Sequence, residues 1–362
     1  MEDFDSFEPK FNKDSFFDYE KTTQNHNFET GFQILNKEIP DSNSEESIPP
    51  MEHYENITNN YDNGNLEELK KSLNDFSSYL YKNGFDDIEE FNKTRMEEIL
   101  VSLCESKNSD ISQISFYIIT LLQSKGPAYP DFFFSIDFFN FCKSFLNKPF
   151  SVVLYYCLSA IVNICYQNDE ARNYISNQIP IEKVISIFRR NGINVKEIAL
   201  DLACAYLKSP LSPESCLSIL KLAKEALGAD GKLDDEDEIV NEKLFHRSGF
   251  WILARILRSY PELTEEVMTN SVLVSSNTIF DDNEESIIPG LIFISYVYEM
   301  NFEIPYFDYN GILEVFASPS TRICQIQAHK TLNKIFIRRS DLISKFIQYG
   351  LIIQSVFALE NA

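Results

Sequence analysis

The chain has 362 residues, of which 44% are hydrophobic and 14% aromatic. That is enough apolar material for a sizeable core and too much for a wholly disordered chain. The formal net charge of −23 excludes nucleic acids and anionic lipids as expected partners, because their phosphate groups would be repelled. With only 11 glycines, nucleotide-binding α/β folds and hairpin-rich β folds are disfavoured as well.

Residues 1–62 differ in composition from the rest of the chain. They hold 15 Asp and Glu against four lysines, are rich in Asn, Ser and Thr, and show no long amphipathic period. Such a segment buries too little apolar surface to offset the ordering of its backbone. The sequence therefore predicts a disordered, acidic, phenylalanine-containing arm. Its first residues lack the basic start and apolar core of a secretory signal, so we expect a cytoplasmic protein, with the nucleus as the alternative.

Helical periodicity begins after the arm. Apolar residues at 66, 69, 73, 76 and 80 predict an amphipathic helix that ends at Asn83-Gly84. Ser212 before Pro213 predicts a capped helix start. The most strand-like run, residues 270–280, fits an irregular helix equally well. Residues 149–168 are uncharged and long enough to span a bilayer, but their polar residues and helical spacing favour a buried helix of a soluble protein.

The sequence contains no signature of catalysis or metal binding. The seven cysteines are unevenly spaced with no CxxC pair, which indicates reduced, buried thiols. Nucleophile-elbow, phosphate-loop and HExxH motifs are absent, so we expect no enzymatic activity, no cofactor and no metal site. We interpret His246, beside Arg247, as an ordinary helix-surface histidine, and the acidic run 230–238 as a solvated loop.

A repeat of about forty residues organises the helical part. Six apolar segments align on one central residue each, in the order Ile119, Ile161, Ala203, Ala254, Ile294 and Leu332. The steps between them are 42, 42, 51, 40 and 38 residues, and the long step contains the acidic insertion. A period of this length made only of helices indicates a solenoid of two- or three-helix repeats.

The repeat resembles the armadillo family. Residues 157–165 are similar to its long third helix, and residues 169–175 and 181–188 to its short first and apolar second helices; residues 328–353 resemble the same order again. The resemblance covers about residues 108–362, is poor over 211–245 and 262–285, and leaves HEAT-type repeats open. It implies an all-α, armadillo-like right-handed superhelical solenoid, here assigned to residues 63–362, whose third helices line a groove.

Such a groove implies a non-enzymatic protein–protein interaction scaffold or adaptor that binds a partner segment. The candidate partner-binding residues occupy positions 3 and 7 of the third helices and are Tyr117, Ser159, Asn163, Asp201 and Tyr296. The alternative is an importin-alpha-like adaptor for basic peptides. That family has Trp at position 3 and Asn at position 7, and here Asn163 alone is retained while Trp251 is out of register. A third alternative is an enzyme or regulator whose arm occupies the groove.

The last repeat carries a further apolar surface. Leu351, Ile352, Val356 and Phe357 lie on a second helix that no predicted third helix follows. We expect them either to mediate binding to a partner or self-association, or to turn inward as a simple amphipathic ending.

Overall fold

A computed structural model describes residues 49–83, 88–124, 131–146, 152–228, 245–281, 284–317 and 321–360. These ranges contain helices and connecting turns but no strand, which confirms the all-α prediction. The chain forms two compact units, Met1–Phe134 and Ser135–Ala362, where the sequence predicted one repeat domain from residue 63. The arm over residues 1–48 and the acidic run 230–238 lie outside the described residues.

Among the described residues, unit 1 contains five helices and a short 3₁₀ turn. The helices are α1 (Pro50–Asp62), α2 (Leu66–Asn83), α3 (Ile88–Asn92), α4 (Met96–Cys104) and α5 (Ser109–Ser124), and the 3₁₀ turn is Asp131–Phe134. Helix α2 packs between α1 and α5, and α4 packs on α5. The helix predicted from residue 66 is confirmed, although Leu66 itself is exposed.

Helix α1 corrects the predicted boundary of the arm. Residues 50–62 were assigned to the disordered segment, but they form a helix that buries Tyr54 and Ile57. The Tyr54 ring meets Phe76 edge-on at 5.5 Å and Phe91 at 5.7 Å between centroids. The prediction was wrong here because two aromatic partners on later helices supply the apolar contacts that residues 50–62 lack among themselves.

Unit 2 begins at Ser135 and is built from longer helices. These are α6 (Ile136–Lys143), α7 (Val152–Gln167), α8 (Asp169–Gln178), α9 (Ile181–Arg190), α10 (Ile193–Tyr206), α11 (Pro213–Ala226), α12 (His246–Ser259), α13 (Thr264–Val267), α14 (Asn270–Ser275), α15 (Glu284–Glu299), α16 (Tyr309–Ala317), α17 (Arg322–Arg338), α18 (Ile343–Gln348) and α19 (Leu351–Glu360). Three 3₁₀ turns, Pro261–Leu263, Ser276–Asp281 and Ser340–Leu342, complete the unit.

The long third helices of unit 2 stack in chain order. Helix α7 packs on α10, α10 on α12, α12 on α15 and α15 on α17. The residues that define the repeat in these helices are all at most 3% exposed. The remaining aligned residue, Ile119, is the first in chain order and lies in α5 of unit 1. Each layer of unit 2 therefore buries its apolar side against the next one, as an armadillo-like repeat requires.

Side-chain hydrogen bonds follow the same ladder. Arg172 donates to Ser209, 37 residues on, Lys208 to the carbonyl of Tyr166, 42 residues back, and Ser295 to Thr331, 36 residues on. Between described residues of unit 2, no side-chain hydrogen bond joins positions farther apart than the 51 residues that separate Tyr260 from Ser209. Contacts limited to about one repeat are typical of a stack of layers and exclude a closed central core.

Several local predictions are confirmed. Ser212 caps α11 by accepting a hydrogen bond from the amide of Ser215 at 3.2 Å, with Pro213 in the first turn. Residues 270–280, which the sequence left open between a strand and an irregular helix, form a short α-helix followed by a 3₁₀ turn. All seven cysteines are buried, and none forms a disulfide with another described residue. The uncharged run beginning at residue 149 contains α7, and among the described helices none combines the length and hydropathy that a membrane crossing needs.

Candidate functional site

The first part of the candidate site lies on α7. Ser159 and Asn163 are one helical turn apart and only 8% and 6% exposed. The Ser159 hydroxyl donates to the carbonyl of Tyr155 at 2.9 Å. The side-chain nitrogen of Asn163 is buried and has no hydrogen-bond acceptor in the described structure. A buried amide donor without an acceptor costs free energy. Within this site, a hydrogen-bond acceptor from outside the fold would therefore contribute most binding free energy at Asn163.

The second part is a buried ion cluster between α10 and α12. Arg247 donates to Glu197 at 3.0 Å and to both carboxylate oxygens of Asp201, the nearer also at 3.0 Å. Ser248 donates to Asp201 at 2.7 Å. The side chain of Arg247 is 6% exposed and that of Asp201 12%. Two carboxylates share one guanidinium, so the cluster keeps a formal charge of −1.

Tyr155 connects α7 to this cluster electrostatically. Burial raises the pKa of its phenol well above the usual range, and the negative charge of Glu197 raises the pKa further. Tyr155 is therefore a neutral phenol at physiological pH. We call the combined surface the third-helix face, and its residues are Tyr155, Ser159, Asn163, Glu197, Asp201, Arg247 and Ser248.

The structure separates the other two candidate residues from this face. Tyr296 lies on α15, two layers along the stack from α10, where the Lys334 ammonium sits 5.4 Å from its ring centroid. Lys334 also pairs with Glu299, and burial raises the pKa of the Tyr296 phenol. Tyr117 lies in α5 of unit 1 and is 1% exposed, so it presents no surface to a partner in this structure.

The ion cluster of Arg247 with Glu197 and Asp201 was not predicted from the sequence. His246, interpreted as a surface histidine, is 4% exposed, and Arg247 is 5% exposed; that interpretation was wrong. The available signal was their spacing, because Arg247 follows Asp201 by 46 residues. Opposite charges about one repeat apart are brought together by stacking, as charges four residues apart are on a helix.

The third-helix face carries hydrogen-bonding and charged groups. Its members are an amide, two hydroxyls of serine, a phenol and an ion cluster, and no thiol or imidazole belongs to it. The nearby Cys204 thiol of α10 has its pKa raised to about 12 by burial, which keeps it protonated and a weak nucleophile. Over the described part of the chain, no three His, Cys, Asp or Glu side chains converge in a way that could hold a metal ion.

Comparisons with known proteins give structural neighbours only. No family model and no curated protein matches the chain. A designed armadillo repeat protein in complex with the peptide (KR)4 is 15% identical, with a TM-score of 0.45 over 65% of this chain and 98% of its own. Another designed armadillo repeat protein is 13% identical with a TM-score of 0.46 over 65% and 98%. An engineered protein is 15% identical, also at 0.46, over 69% and 99%.

Likeness at these scores supports no inference about this chain. Its class is instead defined by its own helix order, in which a long third helix, a short first helix and a second helix recur and stack on the next layer. The chain has an all-α, armadillo-like helical repeat fold. The right-handed superhelical path stays a prediction.

Proposed function

We propose that this protein is a non-enzymatic interaction scaffold or adaptor that binds an extended segment of a partner protein along the third-helix face. The face offers polar groups suited to a peptide backbone together with an ion cluster suited to a polar side chain. The one hydroxyl of the face that bonds a carboxylate is that of Ser248, on Asp201; this carboxylate is already paired with Arg247 and Ser248 is 1% exposed, so the pair offers no access to a substrate. The proposed location is the cytoplasm, or the nucleus.

The observation that carries this proposal is the buried side-chain nitrogen of Asn163 without an acceptor. An asparagine kept only for packing would be expected to have its amide paired inside the fold. A rotation of this amide toward an incoming backbone carbonyl would satisfy it. Tyr155 and Ser159 precede Asn163 by eight and four residues on α7, which places the three residues on one side of that helix.

Replacing Asn163 by leucine tests the proposal. Asn163→Leu removes an unpaired buried donor, so we expect the free energy of unfolding to stay the same or rise, measured by urea denaturation. We expect the same variant to lose proteins that co-purify with the full chain from its native cells. The matched control is Asn173→Leu, since Asn173 is exposed on α8; it should retain them. Loss of stability in Asn163→Leu with unchanged co-purification would contradict the proposal.

The alternative of an importin-alpha-like adaptor is supported by the excess negative charge of the cluster. Against it, the positions of the family's tryptophans hold Ser159 on α7 and Asp201 on α10, and Asp201 is already paired with Arg247. A fluorescent lysine-rich peptide distinguishes the two functions. Binding at low salt that is weakened by Glu197→Gln would favour the adaptor, and no binding would favour a scaffold for other segments.

Binding through the last repeat, either to a partner protein or to a second copy, also stays a proposal. Three of the four apolar residues that suggested it are exposed, Ile352 at 63%, Val356 at 52% and Phe357 at 49%. They do not turn inward, so the expectation of a simple amphipathic ending is wrong for these residues. The charge of this surface decides what kind of partner suits it.

A further inference from the structure

Exposed apolar side chains are concentrated at one end of unit 2. Of the eleven large hydrophobic residues that are exposed among those described, nine lie between Ile323 and Phe357. We call the part formed by α17 and α19 the C-terminal face. Its residues are Ile323, Ile326 and Ile337 on α17, and Ile352, Ile353, Val356 and Phe357 on α19. Clusters of this kind on a folded protein mark binding surfaces.

The stack itself shows what shape of partner this face accepts. Helix α10, a third helix, packs against both α7, the third helix of the preceding repeat, and α9, the second helix of its own repeat. Helices α17 and α19 are the counterparts of α7 and α9, being the third helix of one repeat and the second helix of the next. In the described structure the apolar sides of α17 and α19 are exposed. A helix about as long as the 14 residues of α10 would therefore fit against them.

Burial along the two third helices supports this comparison. Residues 153–165 of α7 are all buried, since α10 covers one side. Helix α17 leaves Ile326 46% and Ile337 70% exposed. The two positions are eleven residues apart, which places them on one stripe of the helix. An exposed apolar stripe of this kind is what an amphipathic helix of a partner packs against.

The charge of the face selects an acidic partner. Residues 321–360 hold six Lys and Arg against two acidic residues, although the whole chain has a net charge of −23. Lys330 lies on the same stripe between Ile326 and Ile337, and Arg322 and Arg338 are exposed at the two ends of α17. None of these three cations forms an ion pair with a described residue. A second copy would bring the same positive charge to the contact, so self-association through this face is opposed.

We propose that the C-terminal face binds an amphipathic α-helix of a partner protein, with an apolar stripe that is flanked by Asp and Glu. The apolar residues of that helix pack between α17 and α19, and its carboxylates pair with Lys330, Arg322 and Arg338. This site is separate from the third-helix face, and neither binding event depends on the other.

Two synthetic peptides of 14 residues, the length of α10, test the proposal against the full chain. Both carry the same leucine stripe, flanked by Glu in one peptide and by Lys in the other. The net charge of the protein favours the Lys-flanked peptide, whereas the local charge of the face favours the Glu-flanked one. We expect fluorescence anisotropy to show at least about tenfold tighter binding of the Glu-flanked peptide. Equal or tighter binding of the Lys-flanked peptide would overturn the proposal.

Variants assign the binding to the face. Val356→Asp and, separately, Ile353→Asp replace half- or more-exposed residues and should abolish binding of the Glu-flanked peptide. Leu66→Asp changes an exposed leucine of unit 1 and should leave it unchanged. Lys330→Glu with Arg338→Glu should reverse the preference between the peptides. Unchanged binding in both aspartate variants of the face would overturn the proposal, as would a dimer in sedimentation that Val356→Asp dissociates, because a second copy would then be the occupant.

Discussion

Arg247 is the residue on which the polar part of the third-helix face depends. Its guanidinium contacts Glu197 and Asp201 on the preceding third helix, and burial keeps water from replacing it. Periodicity placed the helices that carry these residues, but it could not show the ion cluster. A repeat pattern records which residues are apolar, whereas the pairing of charges depends on the rotation of one layer against the next.

We expect Arg247→Met to lower the free energy of unfolding by about 3 kcal/mol, because two largely buried carboxylates lose their counter-charge. Urea denaturation of the full chain measures it. Arg189→Met is the matched control, since Arg189 bonds Glu225 at 2.7 Å with its own side chain 58% exposed; that variant should lose no more than about 1 kcal/mol. Equal losses in the two variants would show that burial of the cluster contributes nothing.

The sequence was most informative about individual helices. The two helices over residues 169–190 begin where the resemblance placed them and end within three residues of it, because Asn168 caps α8 and Pro180 precedes α9. Helix α1 was missed because its buried side, Tyr54 and Ile57, is short. Its stability comes from packing on α2, which no local pattern reveals.

The start of α11 offers a test at this scale. Ser212→Ala removes the acceptor for the amide of Ser215, and we expect a loss of about 1 kcal/mol in the free energy of unfolding. Ser218→Ala, within the same helix, is the control and should be neutral or slightly stabilising because alanine is the better helix former. The comparison uses thermal or urea denaturation. A neutral Ser212→Ala would mean that Pro213 alone defines the helix start.

At the scale of unit 2, stacking explains both the fold and the two surfaces that are proposed to bind partners. The third helices α10, α12 and α15 each bury one side against the layer before them and another against the layer after them. The polar positions of successive layers therefore form the third-helix face, and the last described layer leaves the C-terminal face open. The period was readable from the sequence because apolar residues recur with it. The division into two units could not be predicted from the sequence, since Ile119 fits the same register although its helix belongs to unit 1.

Hydrogen exchange of a variant at one end of the stack tests most directly whether the layers depend only on their neighbours. Leu332→Ala creates a cavity in α17, where Leu332 is 3% exposed, and costs about 2–5 kcal/mol. We predict faster amide exchange in α17 and α15 with little change in α7, and the reverse gradient for Ile161→Ala in α7. Equal acceleration throughout residues 152–360 in both variants would contradict the account, because it would indicate one shared core.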